Sequence, residues 1–274
     1  MSGPVAFPES DEGVLKETQV HPTAELHPSA ELGVGVEVGP WTVVGPNVTV
    51  GDGARLDSQV LVERNTSIGS GCRIHKGAVL GTDPQDLKFD GEETFLQVGD
   101  GTTIREYATL NRGTSASGRT VVGAHCLLMA YTHVAHDCHL GDHVIISNAT
   151  QMAGHVEVGD WVTISGLVAI HQFVRVGSYA FIGGCSRIAQ DVPPYCRASG
   201  DPPKLYGLNS VGLERRGFTR EQRSLLKQAY RQVFSASVPL TEGLAQAAEQ
   251  VEASQEVLHF LDFIRSSPRG VTAG

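Results

Sequence analysis

The chain carries eleven histidines, and seven of them (His125, His133, His136, His139, His143, His155 and His171) fall in one stretch. An imidazole can ligate a metal or move a proton near neutral pH. The run His133-x2-His136-x2-His139-x3-His143 has spacing that invites a metal. Three-residue steps alternate faces along a strand, however, so these side chains do not converge from a single strand. No metal-ligand set is assigned. Proton transfer fits better. His136 is followed directly by Asp137, and a carboxylate on the second ring nitrogen would fix the tautomer and stabilise an imidazolium. Adjacent strand residues face opposite ways, so the pair works together only at a corner of the chain. His21, His27, His75, His125, His139, His143 and His259 read as surface or turn residues.

Corners are what the surrounding sequence supplies. An aliphatic residue recurs every six positions from Val20 to Leu80, at Val98, Ile104 and Leu110, and from Val122 to Ile188. Of these 26 positions 25 are Ile, Leu or Val, the other being Met152, so chance spacing is excluded. Six is not a helical period. It suits a strand of two or three residues followed by a tight turn. Such strands can bury their aliphatic side chains only against neighbouring coils, which predicts a parallel β-helix. Each burial is worth roughly 1.5–3 kcal/mol, so the column can stabilise a chain with only 6% aromatic residues.

Three strands make a coil of about 18 residues. His136 then lies in line with Gly154, and Gly154 with Gln172, with His133, His155 and His171 on the same edge. A glycine there permits close approach and offers an N–H to a developing oxyanion. Residues 86–97 and 115–121 interrupt the hexads, and solenoid insertions gather on one face, often the binding face. The first holds Asp86, Lys88 and Glu92. The expected organisation is an N-terminal tail over 1–19, a β-helix over 20–192 and a C-terminal α-helical domain over 193–274. Pro193-Pro194 should end the strand ladder. Thr219 to Gln222 reads as a capping box ahead of Leu225, Leu226, Ala229 and Val233. Two more helical patterns follow, and Arg269–Gly274 reads as a frayed end.

A net charge of −9 disfavours general nucleic-acid binding, which needs clustered cations. No apolar run approaches the length of a membrane span. Five cysteines without a C-x-x-C pair suggest free thiols in a reducing, cytoplasmic setting. The N-terminal residues have the pattern of neither a signal nor a transit peptide.

Several motifs carry a resemblance over about residues 20–268. They are Gln85-Asp-Leu-Lys88, Asn111-Arg-Gly-Thr114, His133-Val-Ala-His-Asp-Cys138, Ala153-Gly-His155 and His171-Gln-Phe173. Gly183-Gly-Cys-Ser186, Ala189-Gln-Asp-Val-Pro-Pro-Tyr195 and Gly212-Leu-Glu-Arg-Arg-Gly-Phe218 follow. In this order they resemble the bacterial UDP-N-acetylglucosamine acyltransferases of lipid A synthesis. That resemblance implies a left-handed β-helix, a homotrimer and sites in clefts between subunits. It implies transfer of a 3-hydroxyacyl chain from acyl carrier protein to the sugar 3-hydroxyl, without a cofactor. It further implies His136 as general base, Asp137 as its orienting carboxylate and the Gly154 N–H as oxyanion donor. Asp86 and Lys88 match groups near the acyl chain and its carrier. His133, His155 and His171 match contacts on the sugar and nucleotide side. Gln172, Asn209, Arg215 and Arg216 match nucleotide or phosphate contacts. Position 111 departs from the pattern: it is Asn where some members carry His, which bears on a 3-hydroxyl or 3-amino acceptor. Gly184 matches the position that limits acyl length, and its missing side chain implies a chain of about a dozen carbons or more.

Independently, Lys204, Arg215, Arg216, Arg220, Arg223, Lys227 and Arg231 concentrate basic charge on an acidic chain. Such a stripe suits an acidic partner such as acyl carrier protein. The alternatives are an N-acyltransferase acting on a 3-amino sugar, a gamma-type carbonic anhydrase and a non-catalytic scaffold. The later N-acyltransferases carry an additional N-terminal domain, and only 19 residues precede the first hexad here.

Overall fold

The structure, a computed structural model, describes residues 17–235 and 238–273; most of the N-terminal tail lies outside the described residues. The hexads form two- to four-residue strands arranged as a triangular coil. Among the described residues three sheets result, parallel except for the last strand of A: A with eleven strands, B with nine and C with eight. Successive coils stack in register, Val134 beside Met152 and Met152 beside Ile170. Every hexad aliphatic from Val38 to Ile188 is buried. The three that are not, Val20, Leu26 and Leu32, belong to the first coil.

A second inward column sits two residues before each aliphatic. Cys126, Thr132, Cys138, Val144 and Thr150 are all buried there. The thiols of this column are core filler: burial pushes Cys126 up to about 11. The three corners join sheets A to B, B to C and C to A. Most are tight turns whose second residue adopts φ near +60°, including Trp41, Asp137 and Trp161.

Two excursions leave the coil, and both leave at the BC corner. They are shorter than the hexad gaps suggest. Strand Phe95–Val98 takes up residues 95–97, and strand Arg119–Val122 takes up 119–121. The reason lies in the second column, since Leu96 and Thr120 already point inward.

Nor does the Pro193-Pro194 pair end the sheet. Val192 bridges Val176, and a hairpin of strands Cys196–Gly200 and Pro203–Leu208 extends sheet A. Among the described residues four helices follow: α1 (Ser210–Arg215), α2 (Arg220–Val233), α3 (Leu240–Gln250) and α4 (Gln255–Arg265). The capping box of α2 forms as its sequence indicates, and Leu226, Ala229 and Val233 are its buried residues. The terminal segment is anchored rather than frayed. Thr272 N–H donates to Asp191 O at 2.8 Å, Leu205 N–H to Ala273 O at 3.1 Å, and Val271 is buried.

Candidate active site

The BC corner gathers most of the sequence-derived candidates. Strand His133–Val134 of sheet B leads into a turn carrying His136 and Asp137, then into strand His139–Leu140 of sheet C. Asp137 has φ +59°, a region open to Asp because its short polar side chain bonds locally. The turn removes the strand alternation and brings the two side chains together, with His136 Nδ1 at 2.7 Å from Asp137 Oδ2.

The Asp137 carboxylate is fully sequestered and fully partnered. It accepts from Thr114 N–H at 3.0 Å, from Thr114 Oγ1 at 2.7 Å and from Ser117 Oγ. Burial pushes its pKa up, but the donors from Ser117, His136 and Thr114 outweigh burial and hold it at about 2. An ionised carboxylate only accepts, so Nδ1 of His136 must carry a proton. In the neutral ring Nε2 then carries the lone pair, and no hydrogen bond to a described group engages it.

The His136 ring rests on Gly154. A Cβ at residue 154 would lie 2.5 Å from His136 Cε1 and 2.7 Å from Nε2. Close approach, not a positive φ, is what demands glycine here. The Gly154 N–H bonds to no described group. A Gly154→Ala variant should therefore fold and yet lose activity by roughly a hundredfold, because the methyl pushes Nε2 out of line. Steady-state kcat checks this, and an unchanged kcat would disprove the contact's importance.

His155 follows Gly154 and stacks on Phe173, with ring centroids 4.5 Å apart. Its Nε2 lies 3.7 Å from Asp137 Oδ2. His133 shares a hydrogen with Thr109 Oγ1 at 2.7 Å. Burial, then proximity to His136, lowers its pKa. His171 and Gln172 lie one coil further along, where Arg269 Nη1 donates to the Gln172 carbonyl at 2.9 Å. The BC excursions bring Asp86, half-buried, and Lys88, exposed, to the same corner; Asp86 Oδ1 accepts from Lys88 N–H at 3.0 Å. Asn111 is buried and turned into the base of that loop, donating to Thr82 Oγ1 at 2.7 Å and to Asp83 O at 3.1 Å.

Three candidates are not at this corner. Asn209 caps α1 and donates to Tyr179 O at 2.9 Å, on the CA corner. Arg215 ends α1, and Arg216 lies with its guanidinium 3.9 Å from the centre of the Trp161 ring, also at the CA corner. Within one chain, sheet C separates these arginines from His136.

His136, Asp137 and His155 bring ligand atoms within 4.8 Å of one another. The Asp137 carboxylate takes hydrogen bonds from Thr114, Ser117 and His136, while His155 is held beside it by its stack on Phe173. The sequence reading missed Thr114 and Ser117 as partners of Asp137, Thr109 as partner of His133, and Phe173 as the support of His155. Thr114 and Phe173 sit in recognised motifs, and Ser117 lies in an expected insertion.

The chain as a whole is similar to known proteins. Residues 191–272 match the family model described as UDP N-acetylglucosamine O-acyltransferase, domain 2, and residues 119–150 match bacterial transferase hexapeptide repeats. An acyl-(acyl-carrier-protein)–UDP-N-acetylglucosamine O-acyltransferase of Chlorobaculum parvum is 63% identical over 204 residues, covering 74% of this chain and 77% of that one. Its counterpart from Thermodesulfovibrio yellowstonii is 46% identical over 220 residues, 80% of this chain and 85% of that one. A Bacteroides fragilis UDP-N-acetylglucosamine acyltransferase superposes with a TM-score of 0.91 at 42% identity, covering 92% of this chain and 99% of its own. The coil thus has the left-handed form of these neighbours. The chain belongs to the UDP-N-acetylglucosamine O-acyltransferase family.

Proposed function

We propose that this protein transfers a 3-hydroxyacyl group from acyl carrier protein to the 3-hydroxyl of UDP-N-acetylglucosamine, the opening step of lipid A synthesis. The observation that carries the mechanism is the His136–Asp137–Gly154 arrangement. Nε2 of His136, held as a base by the buried carboxylate, takes the proton of the sugar hydroxyl as its oxygen attacks the thioester carbonyl. The Gly154 N–H supports the oxyanion of the tetrahedral intermediate. The intermediate collapses by breaking the C–S bond, and the imidazolium returns the proton to the leaving thiolate. Asp137 remains ionised throughout and stabilises the imidazolium. Asp86 and Lys88 attend the acyl chain and carrier arm. His133, His155, His171 and Gln172 line the sugar and nucleotide side, while Asn111, buried and bonded to Thr82 and Asp83, supports the base of the loop instead. Lys227 and Arg231, exposed on α2, suit the acidic carrier protein.

Arg215, Arg216 and Asn209 serve the nucleotide diphosphate in this reading, and they stand on a different corner from His136. That separation supports a homotrimer whose sites join the BC corner of one subunit to the CA corner of the next. Co-expressing a His136→Ala chain with an Arg215→Ala/Arg216→Ala chain tests it. Random mixing leaves about a quarter of interfacial sites wild type, so activity should rise far above either parent. If base and arginines acted within one chain, no wild-type site would form and no activity would return.

Gly184 lies in the turn at the AB corner. A Cβ there would have Gly166 O at 3.3 Å and Ser165 Cβ at 3.7 Å as its nearest neighbours. A side chain there would press on the Gly166 carbonyl, and a long one would fill space that a long acyl tail uses. Wild type should prefer the 14-carbon donor over the 10-carbon one, and Gly184→Met should reverse that order. A wild-type preference for 10 carbons would disprove the open-groove reading.

A further inference from the structure

The CA corner repeats one backbone conformation in every coil, and its side chains change where α1 docks. Gly53, Gly71 and Gly101 occupy the turn position with φ of +64° to +66°. His125, His143, Trp161 and Tyr179 occupy it in the next four coils with φ of +54° to +62°. Glycine meets that conformation without strain, and ring-bearing residues do not. The rings form a continuous pile: His125 on His143 at 5.2 Å, and His143 on Trp161 at 3.7 Å with planes 8° apart. The Arg216 guanidinium caps the pile 3.9 Å from the Trp161 ring centre.

The main chain at Arg216 is fixed separately. Asn209 clips the start of α1 to Tyr179 O, and Asn209 N–H donates to Tyr195 O at 2.7 Å. Phe218 packs edge-on against Tyr179 and Tyr195. Only the long side chain is left to be placed, and Trp161 is what places it. The nearby carboxylates are engaged elsewhere: Asp142 Oδ1 accepts from Ala124 N–H at 2.7 Å, and Asp160 Oδ1 from Asp142 N–H at 2.9 Å. Among the described residues no carboxylate pairs with Arg216. A contact through the ring face uses none of the guanidinium N–H donors, so they stay available for a bidentate anion.

We propose that Trp161 is a positioning residue. Its indole, backed by His143, holds the Arg216 guanidinium out from α1 with its donors presented to the diphosphate of the sugar nucleotide. The inference rests on the reading of Arg216 as a diphosphate contact.

The test measures the Kd of UDP-N-acetylglucosamine by calorimetry and steady-state constants on the full-length protein. Variants are Trp161→Phe, Trp161→Ala, Trp161→Gly, Arg216→Ala and the Trp161→Ala/Arg216→Ala pair. Trp161→Ala and Trp161→Gly should raise Kd and KM for the sugar nucleotide about three- to tenfold, as loss of a cation–π contact implies. The KM for acyl carrier protein should not move, nor should kcat. Trp161→Phe should restore most of the affinity, and the pair should bind no more weakly than Arg216→Ala alone. Trp161→Gly guards against misfolding, because glycine already serves this turn in earlier coils. If Arg216→Ala weakens binding but both small Trp161 variants do not, the positioning role is wrong and the arginine reading stands. If Arg216→Ala leaves Kd unchanged, the arginine reading falls and takes the inference with it. Additive losses in the pair, or parallel losses in kcat, would also overturn it.

Discussion

His136→Ala is expected to lower kcat by about two to four orders of magnitude, the range for removing a general base. The sugar hydroxyl is a weak nucleophile, and Nε2 of His136 is the one described base set over Gly154. The fold should survive the change. The ring lies in a turn rather than in the coil interior, and the Asp137 carboxylate keeps its bonds from Thr114 and Ser117. KM values should change little, because the lost interaction belongs to the transition state. A variant with near wild-type kcat would remove His136 from the mechanism.

Asp137→Asn should be almost as damaging, with kcat down by roughly a hundredfold or more. Donors converge on both carboxylate oxygens: Thr114 N–H and Ser117 on Oδ1, Thr114 Oγ1 and His136 on Oδ2. An amide has one accepting oxygen. If its NH2 faces Nδ1, the imidazole is forced to the tautomer with a proton on Nε2 and cannot act as base. If its oxygen faces Nδ1, the NH2 meets the Thr114 N–H, donor against donor. Either orientation also costs stability. The native carboxyl sits at about 2, below its ordinary 3.8, so the unfolded chain binds more protons between those values. Its contribution, on the order of 2 kcal/mol, is complete above the ordinary value and disappears as pH falls through about 2. The stability gap between wild type and Asp137→Asn in denaturant unfolding should therefore be widest near neutrality and shrink on acidification. A gap independent of pH would show that the carboxylate is not held ionised by these donors.

What could be read from the sequence was what repeats. The hexad aliphatics are an unbroken signal because a coil's corner-to-corner distance fixes their spacing. The second inward column is harder to read because Thr, Cys, Ser and Ala interrupt its valines, which run unbroken only over Val156, Val162, Val168 and Val174. Leu96 and Thr120 belong to it, so the excursions looked longer than they are. The His136–Asp137 pair was legible as neighbours, and the corner it needed proved to be present. Its supports were not. Thr114 and Ser117 reach Asp137 from an insertion whose length breaks the six-residue register. The same holds for Trp161 and Arg216, which meet only because α1 folds back onto the CA corner. The anchored end at Arg269–Ala273 depends on backbone bonds to Asp191 and Leu205, which leave little mark on side-chain type, and on the Arg269 guanidinium donating to the Gln172 carbonyl.

The most direct measurement incubates the protein with 3-hydroxyacyl-loaded acyl carrier protein and UDP-N-acetylglucosamine and identifies the bond formed. Wild type should give a mono-acylated UDP-sugar whose acyl group is released by mild base, as an ester is, and His136→Ala should give almost none. A base-stable amide formed only with a 3-amino acceptor, or equal product from wild type and His136→Ala, would contradict base-catalysed O-acylation at this corner.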